Sequence, residues 1–409
     1  MENIFLKCYL VTVSTSDFDT AYRIFSTINT RGLDLQLNDI LKSEIIGSIE
    51  DDKDRDKYTQ IWDGEESDLG RKDFEALFSH IHRIKLREKP KENLLTEYRK
   101  RIKPQDNPRQ FIGEVLKPCS DTFEMLRDYK FSCDDEEDKK EINRLFGWLN
   151  LIDNADWVPP AIYFLVKYPD KTSQIKSFFI NLERLAAGLM IFRADIHKRG
   201  KRYAQLLKAI DKSAETAMTR AEQLLSADDQ NKIFEIINGD LYNQNRSRLY
   251  VLKRLDSCLA EGGISLSFDA KMVTIEHILP QNPKPNSQWC QNWTEKDRQT
   301  WVDRLGNLVL LSRKKNTAAK NYDFDKKKNT YFRQVNQVIF PLTVDVINQA
   351  EWTVKQVKEN QEKYVELLTN LWRLEYSKIN SQVSNSMEIE DIEQAELLLR
   401  QLKEKLVSR

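Results

Sequence analysis

The chain has 409 residues, of which 40% are apolar, and its 64 basic side chains balance 64 acidic ones; it is long enough for two or three cored domains, and with 18 Phe, 14 Tyr and 8 Trp it is too aromatic to be disordered. Zero net charge excludes a uniformly basic nucleic-acid coat, though not a local basic face. Twelve glycines and eleven prolines are few breakers for this length, which predicts a mainly helical protein.

The five cysteines, Cys8, Cys119, Cys133, Cys258 and Cys290, are odd in number, far apart and form no CxxC pair. They offer neither a disulfide framework nor a structural zinc site, as expected of a reducing compartment. No charged-then-apolar leader opens the sequence, and no apolar run reaches the roughly 18 residues that span a bilayer. A cytoplasmic location and no membrane partner are expected.

In chain order, Phe5 to Val13 is apolar and β-branched and predicts a strand. Ser16-Asp17-Phe18-Asp19 offers cap chemistry for a helix from Thr20 to Ile28. Asn29-Thr30-Arg31-Gly32 reads as a turn, and a second helix begins near Asn38, carrying Asp39 and Lys42. Such a short set must bury its faces on the helices that follow, so a small packed subdomain is one reading.

From about Asp51 to Gly262, apolar residues recur at helical spacing, as in Phe74, Leu77 and Ile81 or Leu182, Leu185 and Leu189. The charge runs Asp51–Asp56 and Asp134–Lys140 read as solvated loops or helix starts. His80 and His82 lie two apart, a poor spacing for a shared metal on a helix. Arg193 to Arg202 is strongly basic, either a solvated helix end or a phosphate contact that Arg246, Arg248, Lys253 and Arg254 could extend.

The chemistry concentrates after Gly262-Gly263. Met272 to Leu279 predicts a strand rising to Glu276-His277, and Pro280 ends it. A long polar connection follows, with a helix expected from Glu295 to Arg304. Asn307 to Leu311 predicts a second strand. Asn316 or Thr317 can cap a following helix, which Asn321-Tyr322-Asp323 interrupts before Lys326 to Gln337. Phosphodiester hydrolysis needs a base for water, and a neutral imidazole serves near neutral pH. It also needs a cation at the phosphate, and magnesium or manganese takes oxygen ligands such as a carboxylate and an amide. Neighbours on a strand point to opposite sides, so Glu276 and His277 share a site only if the backbone bends there. Between Lys271 and Arg333 the chain has 13 Lys/Arg and 6 Asp/Glu, a surplus of +7 in a neutral protein. Lys314, Lys315, Lys320, Lys326, Lys327 and Lys328 flank the candidate site and suit phosphate positioning, or else form a solvated helix face.

Two resemblances carry the functional reading. Glu276-His277-Ile278-Leu279-Pro280, then Gly306-Asn307-Leu308, then Asn316 nine residues on, resemble the three blocks of HNH (ββα-metal, His-Me finger) nucleases. The longer stretch LGNLVLLSRKKNTAAKNYDFDKKKNTY is similar to the HNH domain of GmrSD-type, modification-dependent (type IV) restriction endonucleases. AYRIFSTINTRGLDLQLNDILKSEII resembles the back end of the ParB-like domain that opens members of that family. The family's upstream DGQQR-like nucleotide motif has no counterpart, because the chain starts too late.

The resemblance implies that His277 is the general base and that Asn307 braces the loop positioning it. It implies that Glu276 and Asn316 hold Mg2+ or Mn2+, with Asn321 a competitor for the second role. Arg313, Lys314, Lys315 and Lys320 would contact nucleic acid, and Asn29, Arg31, Asp39 and Lys42 would be remnants of a nucleotide site. The expected fold is mainly α with a small α+β, ββα-metal nuclease domain. Its expected parts are a ParB-like remnant at 1–50, a helical domain at 51–262, the HNH domain at 263–375 and a helical tail at 376–409. The expected function is metal-dependent hydrolysis of DNA in anti-phage restriction, with RNA as the other substrate. The alternative is an inactive DNA- or partner-binding subunit of a larger complex. A separate polypeptide carrying the ParB-like half is an expected partner, and the reading leaves room for a homo-oligomer.

Overall fold

A computed structural model describes residues 36–260, 273–312, 321–329 and 340–375. The strand expected at 5–13, the helix expected at 20–28 and the tail after 375 lie outside them. Among the described residues the protein is mostly helical, with one two-stranded sheet. No helix there is long and apolar enough to cross a membrane. The chain divides into two compact units, 1–128 and 129–409. The division falls inside the stretch 51–262 expected to be one helical domain.

In the first unit the helices α1 (Leu37–Gly47), α2 (Asp52–Leu69), α3 (Arg71–Leu86), α4 (Leu94–Glu97) and α5 (Lys117–Asp128) enclose an aromatic core. Trp62, Phe74, Phe78 and Tyr98 meet there at centroid distances of 5.4–5.7 Å, mostly edge to face, the arrangement that ring quadrupoles favour. Asp51 caps α2 by accepting from the Asp54 N–H, so the first charge run is a helix start.

In the second unit α6 (Glu136–Asn150), α7 (Val158–Lys167), α8 (Thr172–Ile191), α9 (Ile196–Lys212) and α10 (Ala214–Gln223) pack around α8, fourteen of whose twenty residues are buried. Phe164 and Phe178 stack at 3.9 Å inside it. Asp135 caps α6, which makes the second charge run a helix start as well. The basic segment at the head of α9 is largely spent internally. Lys198 and Arg202 both pair with buried Asp229, and Arg199 Nε lies 2.7 Å from Asp156 Oδ2. Arg254 pairs with buried Glu183 and lies over the Trp148 ring. These cations are counter-ions of the core rather than an extended phosphate-binding face.

Next come α11 (Ala227–Asn238), α12 (Arg248–Leu259), β1 (Val273–His277), α13 (Gln288–Asn292), α14 (Glu295–Trp301), β2 (Leu308–Ser312), α15 (Phe324–Lys327), α16 (Pro341–Ile347) and α17 (Val354–Leu371). β1 and β2 are antiparallel, with Glu276 opposite Val309 and His277 opposite Leu308. Leu308 to Leu311 are all buried, so β2 is covered on both faces, which matches its unbroken apolar run. α12 and α16 pack on β2, and α17 packs on the turn Leu305–Asn307. No division therefore falls at 262/263: α12 precedes that point in sequence and helps to cover the sheet that follows it.

Candidate active site

β1 delivers two side chains at its end. The ladder is regular through Glu276 and His277, so the two point to opposite faces. Each meets its own neighbours.

On one face His277 is buried, and its Nε2 lies 3.0 Å from Asp303 Oδ1. A carboxylate only accepts, so this contact places the imidazole proton on Nε2 and leaves the Nδ1 lone pair available. Gln281 Nε2 donates to the same Asp303 oxygen at 3.0 Å. Tyr242 closes the other side of the ring, edge to face at 4.2 Å between centroids. The Tyr242 N–H donates to the Asp303 carbonyl at 2.9 Å, and the Arg248 guanidinium lies 4.3 Å over the Tyr242 ring. Burial pushes the imidazole below its ordinary value of 6.5, and Asp303 restores part of that drop. A neutral imidazole at neutral pH follows, which is the form a base requires.

Asn307 makes the turn into β2 and is fully buried. Its Oδ1 accepts from the Leu279 N–H at 2.8 Å and from Trp352 Nε1 at 3.2 Å. Its Nδ2 donates to the carbonyls of Leu279 and Val302 at 3.0 and 2.8 Å. All four bonds open to the amide are made. They tie the chain just past His277 to the chain just past Asp303's helix, so the amide fixes the spacing of the imidazole and its carboxylate. Gly306 sits against α17, where an added Cβ would come within 2.5 Å of the Val357 carbonyl oxygen and 2.8 Å of the Gln361 N. Only glycine lets the turn lie that close.

On the other face Glu276 is buried beside Lys327, which is wholly buried. The Lys327 Nζ lies 2.7 Å from Glu276 Oε1 and 2.6 Å from the His277 carbonyl oxygen. Burial pushes the Glu276 carboxyl up and the Lys327 ammonium down, and their mutual charge opposes both shifts. This corrects the sequence reading of Lys327 as one of the surface lysines that position phosphate. The (CH2)4 stem carries its ammonium inward because the Glu276 carboxylate and a strand-end carbonyl offer it partners. Of its neighbours, Lys326 is exposed over the Tyr322 ring, and Lys328 donates to the Gln349 carbonyl.

Asn316, Arg313, Lys314, Lys315 and Lys320, like Asn29 and Arg31, lie outside the described residues. In the first unit Asp39 pairs with Arg71 at 2.8 Å and Lys42 with Asp63. Asn321 is exposed in a turn. The described residues do not make a divalent-metal centre. No group of three His, Cys, Asp or Glu side chains that could hold a metal ion occurs among them. The one expected ligand they contain, Glu276, already has a cation at hydrogen-bonding distance.

Residues 227–367 match the family model of GmrSD restriction endonucleases, C-terminal domain. That segment is a GmrSD-type C-terminal domain. The match begins at the first residue of α11 and ends within α17, so it takes in Tyr242, His277, Asp303, Asn307 and Lys327. The curated proteins contain no match to the chain. The GmrSD-type domain thus includes α11 and α12, which sequence periodicity assigns to the preceding helical stretch. Asp303, Tyr242 and Lys327 are the site residues that sequence reasoning missed. Asp303 stands three residues before the Gly306-Asn307 block, a position at which a carboxylate could have been noticed. Tyr242 carries no comparable signal.

Proposed function

We propose that this protein is an HNH-type endonuclease that hydrolyses DNA phosphodiester bonds, acting in restriction of modified phage DNA. The observation that supports it most is the His277–Asp303 pair, seated at a strand end inside a GmrSD-type domain. Asp303 accepts the Nε2–H bond, and Nδ1 takes a proton from water. The water oxygen then bonds to phosphorus, the P–O bond to the leaving oxygen breaks, and that oxygen is protonated from solvent. Asn307 holds the imidazole and carboxylate in register. Arg313, Lys314, Lys315 and Lys320 are the proposed phosphate contacts, in keeping with the basic surplus around them. Mg2+ or Mn2+ is the proposed cofactor, with Asn316 and Glu276 its ligands; at Glu276 that ion meets the Lys327 ammonium. A separate ParB-like polypeptide is the proposed source of control over cleavage.

The test incubates the full chain with unmodified and base-modified DNA, and with RNA, in magnesium or manganese. His277→Ala should cut at least about a hundredfold more slowly while melting like the parent. Equal cleavage by that variant would sink the assignment. Tight DNA or partner binding without any cleavage would favour the non-catalytic subunit, a reading to which the neutralised Glu276 lends support.

A further inference from the structure

Lys327 is wholly buried, and its ammonium bonds only to groups on the last two residues of β1, the Glu276 carboxylate and the His277 carbonyl. Burying an ammonium is costly unless oxygen acceptors and an opposite charge replace its hydration. β1 supplies both. A hard divalent cation selects the same donors, carboxylate and carbonyl oxygen. Two cations on one carboxylate a few ångströms apart repel each other strongly in a poorly solvated site. The oxygens around Glu276 therefore serve one cation at a time.

We infer that Lys327 is the resident counter-ion of Glu276, and that magnesium or manganese reaches this carboxylate only by displacing the Lys327 ammonium. The inference rests on the proposal that Glu276 is a metal ligand. It makes Lys327 a positioning residue that holds down the metal affinity of the site. Removing the ammonium at near-constant side-chain length, as in Lys327→Met, leaves a buried carboxylate without a counter-ion. A divalent ion then binds without competition and replaces the missing charge.

Manganese titrations of the full chain test this, followed by thermal unfolding and by loss of the free-Mn2+ electron spin resonance signal. Without metal, Lys327→Met should melt below the parent. Manganese should restore much of that loss and bind at least tenfold more tightly than to the parent. Lys327→Arg, which keeps the charge, should show no such gain. The double variant Glu276→Gln, Lys327→Met, a neutral pair, should lose the manganese response. Manganese binding by Lys327→Met no tighter than by the parent would overturn the inference, as would a response retained in the double variant. If Lys327→Met does not fold alone, its refolding in manganese supports the inference and failure in both conditions counts against it. None of these readouts needs cleavage. Binding as described with no cutting fails the nuclease proposal alone; cutting with unchanged manganese affinity fails this inference alone.

Discussion

His277 Nε2 stands 3.0 Å from Asp303 Oδ1, and the two residues come from opposite ends of a thirty-residue connection between β1 and β2. The carboxylate fixes the tautomer and, by its charge, raises an imidazole pKa that burial has lowered. Asp303→Asn therefore acts in two directions. The amide keeps the size but can present its NH2 to Nε2, which favours the wrong tautomer, so the plateau cleavage rate should fall at least about tenfold. Loss of the charge lets the imidazole pKa drop further, so the acidic limb of the rate profile should move to lower pH. A pH–rate profile of parent and variant on one DNA substrate checks both; an acidic limb that moves to higher pH contradicts the geometry.

Asn307 uses both lone pairs and both N–H bonds on partners in the 279, 302 and 352 segments. Asn307→Ala leaves those backbone groups and the Trp352 indole unpaired in a dry interior. Each such group costs about 1–3 kcal/mol, so a total of several kcal/mol is expected. Asn307→Asp is instructive beside it, because a carboxylate can still accept from Leu279 and Trp352 but meets two carbonyl oxygens with no proton to donate. Both variants should lower the melting temperature, and cleavage by any folded fraction should fall as the His277–Asp303 spacing loosens. Denaturant unfolding of both proteins decides it, and a change of under about 1 kcal/mol in Asn307→Ala would refute the bracing role.

What was legible in the sequence followed from local chemistry. β-branched Val273, Thr274 and Ile275, a proline stop at Pro280 and the apolar run Leu308–Leu311 specify two strands with little help from elsewhere. The blocks at 276–280 and 306–308 announced themselves because the turn chemistry lies within a few residues. Tyr242 and Lys327 were not legible, since they reach His277 and Glu276 only through packing of distant segments. Lys327 is the sharper case. It sits between two other lysines in a run that reads as a solvated face, and only tertiary structure turns the middle one inward. Helices α11 and α12 misled for a related reason: their period is ordinary, and the sheet they help to enclose begins after the Gly262-Gly263 break.

Gly306 offers a test of how closely α17 must approach the site turn. Its N–H donates to Gln361 Oε1 at 2.8 Å, and the Gln361 side chain also reaches Asn238 Oδ1 at 3.1 Å, at the end of α11. An alanine methyl would press on the backbone of Val357 and Gln361, which cannot give way without moving α17. Gly306→Ala should cost about 1–3 kcal/mol, the usual range for overpacking a close-packed site. Gly64 has open space around its Cβ position and lies inside α2, so Gly64→Ala should be neutral or slightly stabilising. Thermal melts of the two alanine variants, side by side, separate a steric effect from a general glycine effect.

Asp256 on α12 accepts from the Leu342 N–H at 2.8 Å at the head of α16, and it is buried without a cationic partner. Burial raises its carboxyl to about 6 from an ordinary 3.8, against a smaller pull downward from the Leu342 bond. The sign follows from linkage. The folded state holds this proton more tightly than the unfolded chain, so its stabilising contribution is full below about pH 4 and is lost as pH rises through 6. A shift of about two units corresponds to about 3 kcal/mol, an order-of-magnitude figure. Asp256→Asn keeps an acceptor for Leu342 and removes the titration. The stability difference between variant and parent should therefore grow in the variant's favour from pH 4 to pH 7, by up to about 3 kcal/mol. Denaturant unfolding of both proteins across that range measures it directly. A difference independent of pH would mean that Asp256 is charged in the folded protein throughout, and that the contact between α12 and α16 holds an ionised carboxylate at the end of a single N–H bond.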